Sequence, residues 1–70
     1  MSRNQEVEIT THDRLLRAWE NSMELVRDFE NYSKEIKDNK QVSEIFAQFA
    51  VDEGLHAAKF RDVLLDYQNN

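Results

Sequence analysis

The stretch KDNK, residues 37–40, decides the fold because it is a polar cluster of turn-forming residues between two long segments with helical apolar spacing. The chain has 70 residues, one glycine and no proline, so little else in it breaks a helix. Asp38 or Asn39 is suited to cap a second helix after the turn. We therefore predict an all-α antiparallel hairpin with its loop at residues 38–40.

The segment before the loop begins with a helix-start signal. Thr10 or Thr11 is suited to be the N-cap, and Asp13 follows in the first turn, which resembles a capping box. The apolar residues behind it recur every three or four positions, as in an amphipathic helix. They are Leu15, Leu16, Trp19, Met23, Leu25, Val26, Phe29 and Ile36. The first helix is predicted over about residues 11–37.

The segment after the loop predicts a second helix over about residues 41–67. One face of it is apolar and consists of Val42, Phe46, Phe49, Ala50, Ala57, Phe60, Leu64 and Tyr67. Large aromatic side chains on such stripes are typical core residues. We expect Trp19, Phe29, Phe46, Phe49 and Phe60 in the core.

The predicted hairpin is one domain over residues 1–70, and it is too small to bury its own apolar stripes. A short loop forces the two helices to lie antiparallel, and a chain of this length buries only a modest share of its surface alone. Each stripe is broader than the seam of two helices requires. We expect a homodimer, or a higher homo-oligomer, that closes a four-helix bundle with two-fold symmetry.

Composition narrows the classes of function. The chain has no cysteine, which excludes disulfides and thiolate metal sites. The net charge is −5 and the nine Lys and Arg residues are scattered, which argues against nucleic-acid and anionic-membrane partners. No apolar run approaches the roughly 20 residues of a membrane span, and the N-terminus lacks the apolar core of a signal peptide. We expect a cytoplasmic protein.

The segment FAQFAVDEGLHAAKF, residues 46–60, places an acid and an imidazole on the apolar face. At about 100° per residue, Glu53 lies at the centre of the stripe and His56 about 60° away. A buried carboxylate is costly unless it is paired, hydrogen-bonded or bound to metal. In a two-fold dimer the pair occurs twice, and two glutamates with two histidines suit iron, manganese or zinc. Alternatively, the two groups satisfy each other without metal.

Gly54 follows Glu53 directly in the second helix. A glycine inside a helix costs about 1 kcal/mol relative to alanine. Its presence indicates room for a close neighbour.

The string from Phe46 to Ala57, with VSEIF at residues 42–46, resembles rubrerythrin and the ferritin-like di-iron proteins. In that family a phenylalanine, an alanine and then Glu-x-x-His-Ala are spaced this way on a bundle helix. The hairpin from Leu15 to Leu65 corresponds to half of a ferritin-like bundle. Half-length members, including encapsulated ferritin-like proteins, form their iron site across a subunit interface. The resemblance implies an inter-subunit di-iron site, a ferroxidase or iron-storage role using oxygen or peroxide, and a protein shell as a further partner.

The family also places a glutamate on the first helix, usually followed seven residues later by a tyrosine. The alignment puts Ser22 in the glutamate slot and Phe29 in the tyrosine slot. The resemblance therefore implies a bridging carboxylate that this chain lacks at the aligned position.

Three other acids are candidates to replace that carboxylate. Glu20 lies 33 residues before Glu53, a spacing similar to rubrerythrin and bacterioferritin, but at the edge of the stripe. Glu24 is close to Glu53 in height along the bundle, whereas Glu30 lies about 7 Å away along the axis. We expect Glu20, then Glu24, as the further metal ligand, and the alternative is that both are solvated charges.

Two other functions remain open. One is a non-catalytic helical dimerisation or interaction module in which Glu53 and His56 form a polar specificity pair, a hypothesis that Ser22 favours. The other is a family member that binds a single structural Zn²⁺ or Ca²⁺.

Overall fold

The computed structural model describes residues 8–68, which form two α-helices and no strand. Helix α1 spans Thr11–Glu35 and helix α2 spans Lys40–Gln68. The all-helical prediction with two helices is thus confirmed for the described part of the chain. Neither helix in that part combines the length and apolar character needed to cross a bilayer.

Helix α1 begins with a complete capping box. The Thr10 Oγ1 accepts a hydrogen bond from the Asp13 backbone N–H at 3.0 Å, and the Asp13 Oδ2 accepts one from the Thr10 N–H at 3.1 Å. These bonds satisfy two donors that the first helical turn leaves unpaired. Of the two threonines considered, Thr10 is therefore the cap, and Thr11 is the first helical residue.

The reversal between the helices is set by Ile36 and Asn39. Ile36 has an extended backbone, with φ −78° and ψ 112°, and its N–H donates the last bond of α1 to the Tyr32 carbonyl at 3.0 Å. The helix ends at Glu35, two residues before the predicted boundary, because the Ile36 side chain keeps the apolar spacing after the backbone has left the helix. The Asn39 Oδ1 then accepts the Val42 N–H at 3.1 Å and caps α2.

The seam between the helices follows an alternating three-and-four spacing on both, as in coiled-coil packing. Its residues are buried or half-buried: Leu15, Trp19, Ser22, Val26, Phe29 and Ser33 of α1, Ile36 directly after α1, and Ser43, Phe46, Ala50, Glu53, Ala57, Phe60 and Leu64 of α2. The Phe29 and Phe46 ring centroids lie 5.6 Å apart. Near the loop, the Ser43 hydroxyl donates to the Ser33 carbonyl at 2.6 Å. Register is therefore fixed by both aromatic and polar contacts.

This seam buries little. Among the described residues only Ala50, Ala57 and Leu64 are buried hydrophobic residues. The radius of gyration is 16.9 Å, against about 11 Å expected for a compact domain of this length, and the thickness is only 12 Å. The hairpin is a single layer of helices without a second layer to cover it.

The predicted core is only partly formed within one chain. Trp19, Phe29, Phe46 and Phe60 are half-buried in the structure. Phe49 is 50% exposed, so its prediction as a core residue is wrong for the single chain. The reason is geometric: Phe46, Ala50 and Glu53 face α1, and Phe49 lies to one side of that line.

The capping box generates a first prediction. Thr10→Ala removes the acceptor for the Asp13 N–H and is expected to cost about 1 kcal/mol of unfolding free energy. For a domain of this size that lowers the melting temperature by roughly 4–8 °C. Circular dichroism melts at one fixed protein concentration measure it. Thr11→Ala is the matched control and should cause no loss, because Thr11 makes no cap; equal losses would refute the assignment of Thr10.

The same cap predicts a pH dependence. Hydrogen bonds from the Thr10 backbone and side chain lower the pKa of Asp13 below its ordinary value of 3.8. A lowered pKa adds stability that is present above the unfolded value and disappears as the pH falls through the folded one. The melting difference between the natural chain and Asp13→Asn should therefore be full near neutrality and shrink below about pH 4. A difference that grows on acidification would contradict this.

Candidate metal centre

Glu53 lies in the helix seam, where its side chain is 17% exposed. It occupies a seam position of α2 three residues after Ala50 and four before Ala57, which are both buried. The helical period therefore turns this carboxylate towards α1 rather than into water. Such a half-buried carboxylate needs a charge or hydrogen-bond partner to be stable there.

His56 is the partner that the structure supplies. Its Nδ1 lies 3.4 Å from the Glu53 Oε1, one helical turn away, and this is the one ion pair among residues 8–68. The His56 side chain is 65% exposed, so the imidazole stands at the edge of the seam with one side open. The sequence-based expectation that both groups point inwards thus holds for Glu53 but not for His56 within one chain.

The pair opens into a shallow cavity on one side of the hairpin. The cavity is lined by Ser22, Glu53, His56, Lys59 and Phe60. Ser22 is 6% exposed and is the only buried polar residue recorded in the described chain. The position at which the ferritin-like pattern has a glutamate is therefore filled by a buried hydroxyl beside Glu53.

Lys59 is a cavity residue that the sequence analysis does not single out. Its side chain is exposed, yet it lines the cavity with the Glu53–His56 pair. The sequence spacing could have indicated this position, because Lys59 follows His56 by one helical turn and so lies on the same side of α2. An ammonium group here attracts the Glu53 carboxylate and disfavours a second cation in the same cavity.

Glu20 and Glu24 do not join the pair. Both are exposed and line a separate groove on the outer side of α1, together with Trp19, Met23 and Arg27. Glu30 lines another groove with Ser33, Lys34 and residues of α2. Within residues 8–68 of one chain, no group of three or more His, Asp or Glu side chains is close enough to hold a metal ion. A single chain therefore presents two candidate ligands, Glu53 and His56.

The side of the hairpin that carries His56 is apolar and uncovered. At about 100° per residue, His56 shares this side with large exposed side chains from both helices. They are Leu25, Tyr32, Ile45, Phe49 and Tyr67, which are 39–50% exposed. We call this surface, with Glu53 and His56, the pair face. Exposed apolar area concentrated around a polar pair is typical of an association surface.

Comparisons with protein-family models, with curated proteins and with solved structures find no match for this chain. The ferritin-like resemblance therefore depends on the residue pattern from Phe46 to Ala57.

Ser22 provides a direct test of the slot. Ser22→Glu restores the carboxylate that the ferritin-like pattern contains, beside Glu53. Two neighbouring carboxylates in a half-buried site repel, so without metal this variant should melt several degrees lower than the natural chain. Added Zn²⁺ or Mn²⁺ should recover the loss, because a divalent cation neutralises the pair.

Ser22→Gln is the matched control, since it has nearly the same volume without the charge. Its response to metal should be no larger than that of the natural chain, because it adds no carboxylate ligand. A gain for Ser22→Gln as large as that for Ser22→Glu, or no gain for Ser22→Glu, would show that this slot does not face a metal site.

Proposed function

We propose that two copies of the chain associate through their pair faces and bind metal ions between them, with Glu53 and His56 of each copy as ligands. The observation that carries this is the half-buried Glu53 carboxylate, 3.4 Å from an imidazole that opens onto an uncovered apolar surface. A two-fold dimer would cover that surface and close a four-helix bundle. The proposed class is a half-length ferritin-like metal protein, with iron as the favoured metal and manganese or zinc as alternatives.

The donor set fits a metal ion only when two chains contribute. One chain offers one carboxylate and one imidazole, which is too few for any stable centre. Two chains offer two of each, enough for a four-coordinate ion or for part of a di-metal centre. Both ligands come from the middle of one helix, where neighbouring turns hold them in fixed relative positions.

A di-metal centre requires further oxygen ligands. Ferritin-like sites combine a Glu-x-x-His unit from two helices with a lone glutamate from each of the other two. Glu53 and His56 provide the first kind, and Ser22 stands where the second is needed. Glu20 and Glu24 are the candidates left on α1, and they reach the centre only if one copy presents the outer side of α1 to the other.

The chain's own contribution is to position and shield the ligands. The Glu53 carboxylate is held in the seam by packing, and His56 is held one turn later at the rim. The surrounding aromatic and aliphatic side chains would exclude water once a second copy covers them. Bound iron would supply the Fe(II) oxidation by oxygen or peroxide that the ferritin-like resemblance implies.

Metal analysis with matched variants tests the proposal. The protein is purified without chelator, or refilled anaerobically with Fe(II), and the metal per chain is measured together with the melting temperature. Metal at 100 times its dissociation constant should stabilise the assembly by about 2.7 kcal/mol, and chelator should reverse this. Glu53→Ala/His56→Ala should lose both the metal and the shift.

Glu20→Ala/Glu24→Ala is the matched control for this experiment because it removes two acids from the outer groove of α1. A mononuclear centre built from the pair alone should survive it with one ion per two chains. A di-metal centre that uses these acids should fall from two ions to one or none. Equal metal content in the natural chain and in Glu53→Ala/His56→Ala would rule out the centre.

The second candidate function is a non-catalytic self-association module. It is favoured by Ser22 in the glutamate slot and by Lys59 in the cavity, where an ammonium group competes with a metal for Glu53. Under this hypothesis the dimer forms equally well in chelator, and its melting temperature does not respond to metal. The same metal titration therefore separates the two functions.

A further inference from the structure

Helix α2 has a second uncovered apolar surface, away from the pair face. Val51, Leu55 and Leu65 are 60%, 67% and 44% exposed. By the helical period, Val51 and Leu55 lie about 160° to either side of Glu53, and Leu65 lies about 120° from it on the side opposite His56. Large apolar side chains on a side of a helix that its own chain leaves uncovered favour a neighbour there. The hairpin provides only one neighbour, α1.

Gly54 lies at the edge of this second surface. A Cβ built on Gly54 would meet no atom within 4 Å, and its φ is not positive. Neither packing inside the chain nor backbone conformation therefore requires a glycine here. Because Gly54 has no side chain, the backbone of another chain can approach α2 closely at this point.

A line of six residues that includes Val51 and Gly54 is arranged with mirror symmetry about the bond between Asp52 and Glu53. Residues at equal distances on either side of that bond form three matched pairs. The two inner pairs consist of small apolar residues, and the outermost pair consists of two opposite charges. The pairs are Val51 with Gly54, Ala47 with Ala58, and Glu44 with Arg61. Successive positions are three or four residues apart, so they form one continuous line on α2. We call these six residues the outer face of α2.

The two charged ends of the outer face have no ionic partner within the described residues. Glu44 and Arg61 are both exposed, and the one ion pair in residues 8–68 is between His56 and Glu53. In an antiparallel two-fold pairing of α2 with its copy, each Glu44 lies at the height of the copy's Arg61. The outer face of α2 is therefore complementary in charge to the same face of a second copy.

We propose that a second copy of the chain packs its α2 antiparallel on the outer face of α2. Gly54 and the two alanines allow the helices to approach closely at the centre, Val51 fills the space beside Gly54 of the other copy, and Glu44–Arg61 pairs fix the register at both ends. This contact is separate from the pair face and does not depend on metal. With it, α2 has helical neighbours on both of its uncovered sides.

A charge swap tests the pairing. The natural chain, Glu44→Arg, Arg61→Glu and the double swap are compared by sedimentation velocity over a range of concentrations in chelator. Each single variant places like charges together and should weaken one association step at least about tenfold. The double variant restores opposite charges and should associate like the natural chain. Asp28→Arg, with the same charge change on the exposed side of α1, should have no effect.

A cysteine pair gives a second readout of register. Because the chain has no cysteine, Ala47→Cys/Ala58→Cys introduces the only thiols, and these positions are too far apart along one helix to join within a chain. Mild oxidation should yield covalent dimers, whereas the single variants Ala47→Cys and Ala58→Cys should not, because each cysteine would lie about 16 Å along the helix axis from its own copy.

Each outcome of these two experiments decides the proposal. Restored association in the double swap and cross-links in the matched pair support it. It is overturned if the double swap stays as weak as the single variants, if all the swaps associate equally, or if the single-cysteine variants cross-link as readily as the pair. Loss of metal binding in Glu53→Ala/His56→Ala leaves these results unchanged, so failure of the metal proposal is distinguished from failure of this one.

Discussion

The packing of α1 against α2 is the one internal contact surface of the described chain, and small residues occupy its middle. Ser22, Ala50 and Ala57 lie at its middle, so the helices approach closely there but remove little apolar surface from water. Hydrophobic stabilisation scales with the area removed, at about 25 cal/mol per Å². A 12 Å layer with three buried hydrophobic residues among those described therefore gains little hydrophobic stabilisation from contacts within one chain. The exposed apolar side chains on both sides of α2 follow from this constraint.

The position of Glu53 in the same seam explains why its carboxylate needs a partner. Had an alanine continued the series of Ala50 and Ala57, α2 would present only apolar side chains at the centre of the seam. A carboxylate there loses hydration, and His56 compensates only from the rim because its side chain is 65% exposed. Covering the rim with a second copy would raise the cost of this charge unless a further cation or hydrogen-bond donor arrived with it. Lys59, which lines the same cavity, and the proposed metal ion are alternative cations that could meet that requirement.

The sequence predicted the hairpin because its signals are local. The turn at Asp38 and Asn39, the cap at Thr10 and the apolar spacing each depend on a few neighbouring residues. The end of α1 was placed two residues late since Ile36 keeps its side chain on the apolar side after the backbone turns. Phe49 was predicted as core because periodicity identifies an apolar side chain but not which neighbour covers it. The inward position of Glu53 followed from the period, whereas the exposure of His56, the cavity position of Lys59 and the separate groove of Glu20 and Glu24 depend on how the helices are packed.

The positions of the two proposed contact surfaces on α2 constrain the kind of assembly. His56 lies about 60° to one side of Glu53, and Val51 about 160° to the other, so the pair face and the outer face are on nearly opposite sides of the helix. Both contacts pair a surface with its own copy, so each is isologous and the two alternate from chain to chain. Because these contacts lie on opposite sides of α2, each chain binds two different copies, and the assembly grows beyond a dimer. Closure then depends on the angle between the two symmetry axes: perpendicular intersecting axes give a tetramer, and smaller angles give a larger ring of alternating pairs. In either assembly α2 would lie inside and α1 at the surface. This agrees with the large exposed apolar side chains on two sides of α2. It also agrees with the charged outer side of α1, where Glu20, Glu24 and Arg27 line an exposed groove.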